Sequence, residues 1–254
     1  MRVLILGGTA EARALADILH RQDRYQVISS LAGRVSRPSL PSGEVRVGGF
    51  GGVDGLVRYL RAEAVDVVVD ATHPFADTIS ANAVRAAESA GVRLLALRRP
   101  EWSAEPGDRW TRVPDAAGAV REIDLLPDEG HVFLTTGRMN LAAYARDDRH
   151  AYLIRLVDPP AGPLPARHVV VLDRGPYTVD GELDMMRQHD VTALVTRNSG
   201  GTATAAKLVA ARRQGIPVIM IDPPAPPATA ISAGTVTEII ALLEADAAVQ
   251  RHRR

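Results

Sequence analysis

Short apolar runs rich in valine, isoleucine and leucine alternate along the chain with longer stretches of helical periodicity. Residues 3–6, 25–30, 65–70 and 92–97 have the length and content of strands buried on both faces, and 44–47 reads as a further short strand. Helical spacing predicts a helix from Ala10, a second over 53–61 and a third from Pro74 to Ala90. The rhythm restarts in the second half, with strands at 131–135, 152–157, 169–172, 193–196 and 217–221. Helices there are expected after the T-T-G-R of 135–138, over 180–189, around Lys207 and over 236–247. This alternation predicts the α/β class: two Rossmann-like or flavodoxin-like units with parallel sheets facing a cleft. The stretches 98–102 and 106–110 read as an irregular crossing, with Trp102 and Trp110 as packing anchors. Residues 126–130 are the most linker-like. They divide the chain into 1–126, the nucleotide side, and 127–254, the substrate side; 254 residues suffice for two such domains.

Chemistry is expected where strands end. The first strand runs into Gly7, Gly8 and Thr9, and a helix begins at Ala10. A strand, a glycine turn and a helix N-terminus bring backbone N–H groups and the positive end of a dipole to one point, as a phosphate requires. The pattern departs from G-x-G-x-x-G: Thr9 stands at the middle glycine, and Ala12 at the last, where alanine is tolerated. The Thr9 hydroxyl becomes a candidate phosphate donor; the alternative is an ordinary βα turn. After the second strand come Ser29, Ser30, Gly33, Arg34 and Arg37, with no carboxylate. An acid there would hold the ribose 2′-hydroxyl of NAD, whereas two arginines suit the 2′-phosphate of NADP(H). The alternative is a solvated basic loop.

G-G-F-G-G at 48–52, with Gly49, Phe50 and Gly51 at its centre, is a second candidate ligand loop, or else a flexible connection. D-A-T-H-P-F-A at 70–76 sets Asp70, Thr72 and His73 at a carboxyl edge, where open α/β sheets bind ligands. His73 is either a group for chemistry or a satisfied helix-capping histidine. No second histidine stands at ligand spacing, so no metal is expected.

The second half gathers cations on or near strand ends: Arg138, Arg155, Arg174, Arg197 and Lys207, beside Thr136, Gly137, Asn198, Ser199 and Gly200. Such a cluster suits a ligand with several carboxylates or phosphates. Arg155 lies inside an apolar strand, where an unpaired charge is costly, and is the sharpest of these; the alternative is an internal ion pair with Asp173 or Asp158. Ser199, Gly200 and Gly201 before a helix form a second candidate anion nest.

Thirty basic and thirty acidic residues cancel, which removes any general attraction to nucleic acid or membranes. The absence of cysteine excludes disulfides, thiolate metal sites and cysteine nucleophiles. No apolar run has transmembrane length and no leader precedes the first strand, so the cytoplasm is the expected compartment.

Several motifs together resemble one family. They are I-L-G-G-T-A-E-A-R at 5–13, A-G-R at 32–34, G-G-F-G-G at 48–52, D-A-T-H-P-F-A at 70–76, R-P-E-W at 99–102 and L-T-T-G-R at 134–138. I-R-L-V-D-P-P at 154–160, R-G-P at 174–176, V-T-R-N-S-G-G at 195–201 and I-P-V-I-M-I-D at 216–222 continue the series. The chain resembles the precorrin-6A reductases of cobalamin biosynthesis, CobK in the aerobic and CbiJ in the anaerobic route.

The resemblance implies an NADPH-dependent reduction: hydride to the precorrin-6A macrocycle and a proton to a neighbouring ring carbon, giving precorrin-6B. It implies a pyrophosphate on Gly7, Gly8, Thr9 and the N–H of Ala10, and a 2′-phosphate held by Ser30, Arg34 and Arg37. The nicotinamide would reach Asp70–His73, and the polyacid tetrapyrrole would lie against Thr136, Arg138, Arg174, Arg197, Asn198 and Ser199. His73, whose unperturbed pKa is about 6.5, is the candidate proton donor, with bound water as the alternative. Asp70 is the second catalytic candidate. Channelling contact with neighbouring pathway enzymes is a further expectation. Two readings of other kinds stand beside it: a two-domain nucleotide-sugar-type transferase, and a non-catalytic dinucleotide-binding sensor.

Overall fold

The computed structural model describes residues 1–33, 39–225 and 231–252, and in the last helix the side chains as far as 246. The chain divides into two compact units, residues 1–100 with 224–254, and residues 101–223.

The first unit begins with β1 (Arg2–Leu6), α1 (Ala10–His20), β2 (Gln26–Leu31), β3 (Glu44–Val47), α2 (Gly52–Ala62), β4 (Val67–Asp70), α3 (Asp77–Ala90) and β5 (Arg93–Leu97). The second holds β6 (Trp110–Val113), α4 (Ala116–Ile123), β7 (His131–Leu134), β8 (Ala151–Leu156), β9 (His168–Leu172), α5 (Val179–Gln188), β10 (Ala193–Arg197), α6 (Ala206–Gln214) and β11 (Val218–Ile221). The chain then returns to the first unit with β12 (Ile231–Ala233) and α7 (Val236–His252).

The first sheet is wholly parallel in the order β12-β5-β4-β1-β2-β3. Its strands are apolar on both faces because helices cover both. Val3, Ile5, Val67 and Val69 meet Leu15 and Leu19 of α1 and Ile239 and Leu243 of α7. The alternate residues Leu4, Leu6 and Val68 meet Leu56 and Leu60 of α2 and Ala83 and Ala86 of α3. The order reverses between β1 and β4, so the loops after these two strands flank the crevice in which a doubly wound sheet takes its ligand.

The second sheet, also parallel, has the order β6-β11-β10-β7-β8-β9 and reverses between β7 and β10. Phe133, Leu194, Val218 and Met220 pack on Leu183 and Met186 of α5 and Leu208 and Ala211 of α6. Asp115 caps α4 and Thr178 caps α5, each side chain accepting a first-turn N–H.

Three sequence expectations are corrected. The boundary is at 100/101, not 126/127, and residues 126–130 lie inside the second unit; β6 opens that unit, and the first sheet takes β12 from beyond it. The segment 106–113 is not wholly irregular, since Trp110–Val113 pairs with β11. T-T-G-R opens no α-helix: among the described residues the connection holds only the 3₁₀ turn Leu141–Ala143.

That connection is tied down by Asp147. Its carboxylate accepts from the Tyr152 hydroxyl, from His150 Nδ1 at 2.8 Å and from the N–H groups of Arg149 and His150 at 2.9 and 3.2 Å. Burial raises the Asp147 pKa, but these donors outweigh it and hold the group below its ordinary 3.8. A carboxylate depressed in the folded state adds stability above the unfolded pKa and loses it as pH falls through the folded one. Asp147→Asn should therefore lower the urea midpoint at neutral pH by an amount equivalent to about 1–3 kcal/mol. The gap from the unmodified chain should shrink on acidification; a gap independent of pH would refute this account.

Candidate functional site

The turn after β1 is built as the glycine pattern predicts. The Gly7 N–H donates to the Ser30 carbonyl at 2.9 Å, which closes the turn against β2. Gly8 has φ +117°, a conformation reserved for glycine, and a Cβ added there would meet open space. Thr9 caps α1: its Oγ1 accepts the Ala12 N–H at 3.1 Å and donates to the Ala71 carbonyl at 2.8 Å. A hydroxyl has one proton, and that of Thr9, the expected phosphate donor, is held here by the Ala71 carbonyl. Its side chain ties the β1 turn to the β4 turn. The N–H groups of Ala10 and Glu11 belong to the first helical turn, where no intrahelical acceptor exists.

Beside β2, Ser29 and Ser30 are buried, 2 % and 6 % exposed, and Gly33 has φ +71°. Arg34 and Arg37 lie outside the described residues. Among the described residues, Arg46 of β3 is a cation that stands at this edge. It donates to Ser30 Oγ at 3.3 Å and to the carbonyls of Gly48 and Gly49, each at 2.6 Å. Its guanidinium covers the Phe50 ring at 3.8 Å, and Phe50 packs edge-on against Tyr59. The G-G-F-G-G loop is thus clamped from within, and Gly51 begins α2 at φ +79°.

After β4, Asp70 is 2 % exposed and its carboxylate is fully engaged. Oδ1 accepts the Thr72 hydroxyl at 2.6 Å and the Thr72 N–H at 3.1 Å, and Oδ2 pairs with Arg98. Arg98 also donates to Ser80 Oγ at 3.0 Å and to the Asp70 carbonyl at 3.3 Å. His73 Nδ1 accepts the Phe75 N–H at 3.3 Å, which leaves Nε2 as the protonated nitrogen of a neutral ring. Thr9, Glu11, Ala71, Thr72, Pro74, Leu97 and Arg99 line a small cleft. It sits at the carboxyl ends of β1, β4 and β5. Arg98 and Arg99 escaped the sequence reading although a doubled arginine directly after a strand marks them, and Glu11, Arg46 and Glu182 escaped it too.

In the second unit Thr136 is 4 % exposed at the end of β7, followed by Gly137 at φ +74° and an exposed Arg138. Arg197 ends β10, across the reversal point, and donates to the Met139 carbonyl at 3.2 Å. Burial lowers the Arg197 pKa and raises that of Tyr144 to about 12; the charge interaction between the two opposes both shifts. Arg174 is exposed beyond β9.

The other cations and amides of this unit have partners within it. Arg155 is 6 % exposed, and its acid is neither Asp158 nor Asp173 but Glu182 of α5, at 2.9 Å. The guanidinium also lies 3.7 Å from the Tyr177 ring centre. Asn198, 0 % exposed, accepts the Trp102 N–H at 2.8 Å and donates to the Trp102 carbonyl at 3.1 Å and to Glu101 at 3.3 Å. The Trp102 indole donates to the Gly201 carbonyl at 2.8 Å. The loop carrying Ser199 and Gly200, both buried, is therefore pinned to E-W of R-P-E-W rather than left open by Asn198. Lys207, 4 % exposed in α6, donates to the Thr204 carbonyl at 2.9 Å and lies over the Trp102 ring. Among the described residues no cluster of histidine and carboxylate could hold a metal, and no helix is long and apolar enough to cross a membrane.

Two doubly wound parallel sheets, the first with a glycine turn and a helix N-terminus at its reversal point, define a Rossmann-like α/β protein. The profile of the family described as precorrin-6x reductase CbiJ/CobK matches residues 2–244, and the chain belongs to that family of reductases. It is 53 % identical over 230 residues to a precorrin-6A reductase of Rhodococcus erythropolis, covering 90 % of this chain and 92 % of that one. It is 48 % identical to the precorrin-6A reductase of Rhodobacter capsulatus, with 91 % and 92 % covered. The solved structure of a CobK precorrin-6A reductase superposes with a TM-score of 0.89 at 46 % identity, over 96 % of each chain.

Proposed function

We propose that the chain reduces precorrin-6A to precorrin-6B in cobalamin biosynthesis, with NADPH as the hydride source. The observation that carries the cofactor reading is the turn after β1: a glycine at φ +117° facing open space, and first-turn N–H groups of α1 above the β1–β4 reversal. A dinucleotide pyrophosphate fits those donors and the helix dipole. The Ser29–Ser30 edge carries no carboxylate to repel a 2′-phosphate, and Arg34 and Arg37 follow it in sequence.

Bound NADPH supplies the hydride, and the protein holds and shields the reactants. Ala10 and Glu11 N–H groups hold the pyrophosphate. Asp70 is a positioning residue: with Arg98 and Thr72 it fixes the loop that presents His73. His73, with Nδ1 occupied by the Phe75 N–H, offers its Nε2–H as a hydrogen bond, and bound water supplies the proton. Arg138, Arg174 and Arg197 take the acetate and propionate groups of the macrocycle, with Thr136 and Ser199 as neutral donors. Arg155, Asn198 and Lys207 support these loops from behind.

Titrating the protein with NADPH, NADH and a nucleotide sugar tests the reading. NADPH should bind at least about tenfold more tightly than NADH, a difference of about 1.4 kcal/mol. Replacing Arg34 by alanine should erase that preference and spare NADH. Equal binding of the two dinucleotides, or a preference for the sugar nucleotide, would overturn it.

A further inference from the structure

The anion site at the start of α1 already faces an anion of the protein's own. Glu11 lies in the first helical turn, beside the Ala10 and Glu11 N–H groups that Thr9 leaves uncapped. Its two carboxylate oxygens accept from one nitrogen of Arg99, at 3.0 and 3.1 Å. The Arg99 and Glu11 side chains are only 19 % and 30 % exposed, and both line the cleft with Thr9, Ala71 and Thr72. A helix N-terminus and a partly buried guanidinium are the two features that favour a phosphate. Here a carboxylate satisfies both.

We propose that Glu11 is a built-in competitor for the cofactor's pyrophosphate: Arg99 passes from Glu11 to the phosphates on binding, and Glu11 takes it back as oxidised cofactor leaves. The inference rests on the NADPH reading above and extends it to the exchange of cofactor. A diphosphate brought to the α1 turn meets the negative charge of Glu11 at close range in a poorly screened cleft, so Glu11 costs affinity. In return, Arg99 keeps a partner at every stage, and the desolvated cation is never left alone in the cleft. The same exchange lowers the barrier to release, a step that limits turnover in many enzymes. Glu11 thus weakens binding and quickens turnover, the reverse of what a supporting residue does. Arg99 is a binding residue for the phosphates, and Glu11 is a positioning residue that acts through it.

Calorimetric titration of NADP⁺ and of inorganic pyrophosphate into the unmodified chain, Glu11→Gln and Arg99→Met tests this, with the thermal midpoint of each variant checked first. Glu11→Gln should bind NADP⁺ and pyrophosphate about tenfold more tightly and lower both KM for NADPH and kcat. Arg99→Met should bind both about tenfold more weakly, and Arg99→Lys should recover part of the loss. If Glu11→Gln binds NADP⁺ equally or more weakly while the unmodified chain binds it well, Glu11 is a support and the inference is overturned. If the unmodified chain does not bind NADP⁺ at all, the cofactor reading falls and this inference with it. Glu11→Ala repeats the sign of the test should Glu11→Gln fail to fold.

Discussion

Arg155→Met is expected to lower the stability of the fold by about 3–5 kcal/mol. The reason lies in the acid it would abandon. Glu182 is 1 % exposed; one carboxylate oxygen takes its bond from Arg155 and the other has no hydrogen-bond partner among the described residues. Methionine has about the volume of the arginine stem and can pack beside Phe133 and Tyr177, so the loss measures the stranded charge rather than a cavity. Removing both charges together, as Arg155→Met with Glu182→Leu, should restore most of the stability, since a buried pair exchanged for apolar residues is near neutral. Urea midpoints of the single and double variants decide it. A single variant as stable as its parent would mean that Glu182 is not held as a buried carboxylate. The double variant also separates two roles: turnover close to normal would confine Arg155 to the fold, and a raised KM for the tetrapyrrole would return it to the substrate.

The second large effect is expected at Gly55→Ala. A methyl built on Gly55 of α2 would lie 1.7 Å from the Phe50 carbonyl oxygen, far inside contact distance. The obstacle is backbone, so no side chain can swing aside. Either α2 moves or the G-G-F-G-G loop gives up its bonds to Arg46 and the packing of Phe50 on Tyr59. Overpacking of this kind costs about 1–3 kcal/mol or more. Because the loop lies beside Ser30, the variant should also bind NADPH several-fold more weakly. Unchanged stability with unchanged cofactor affinity would show that α2 and the loop do not meet as described.

The central strands were readable because burial on both faces leaves an unbroken apolar run, as in V-V-V-D of β4 and A-L-V-T-R of β10. The two strands missed, β6 and β12, are the edge strands that complete each sheet. W-T-R-V and I-S-A are short, mostly exposed and unpatterned, and their partners β11 and β5 lie more than a hundred residues away in the chain. Missing them moved the boundary. The glycine turn was legible because its geometry is local. The partners of charged groups were not: Arg155 passed over two nearby aspartates for Glu182, twenty-seven residues on, because α5 lies across the β8 face. Thr9 offered a hydroxyl to the sequence reader, but the β4 turn had already claimed its proton.

The late return of β12 to the first sheet matters for birth on the ribosome. Synthesis runs from residue 1, so everything needed for the middle unit, 101–223, emerges before β12 does. The half that is made first is therefore finished last. Until Ile231–Ala233 arrives, β5 is an open parallel edge able to pair with another nascent chain, the hazard that unfinished sheets carry.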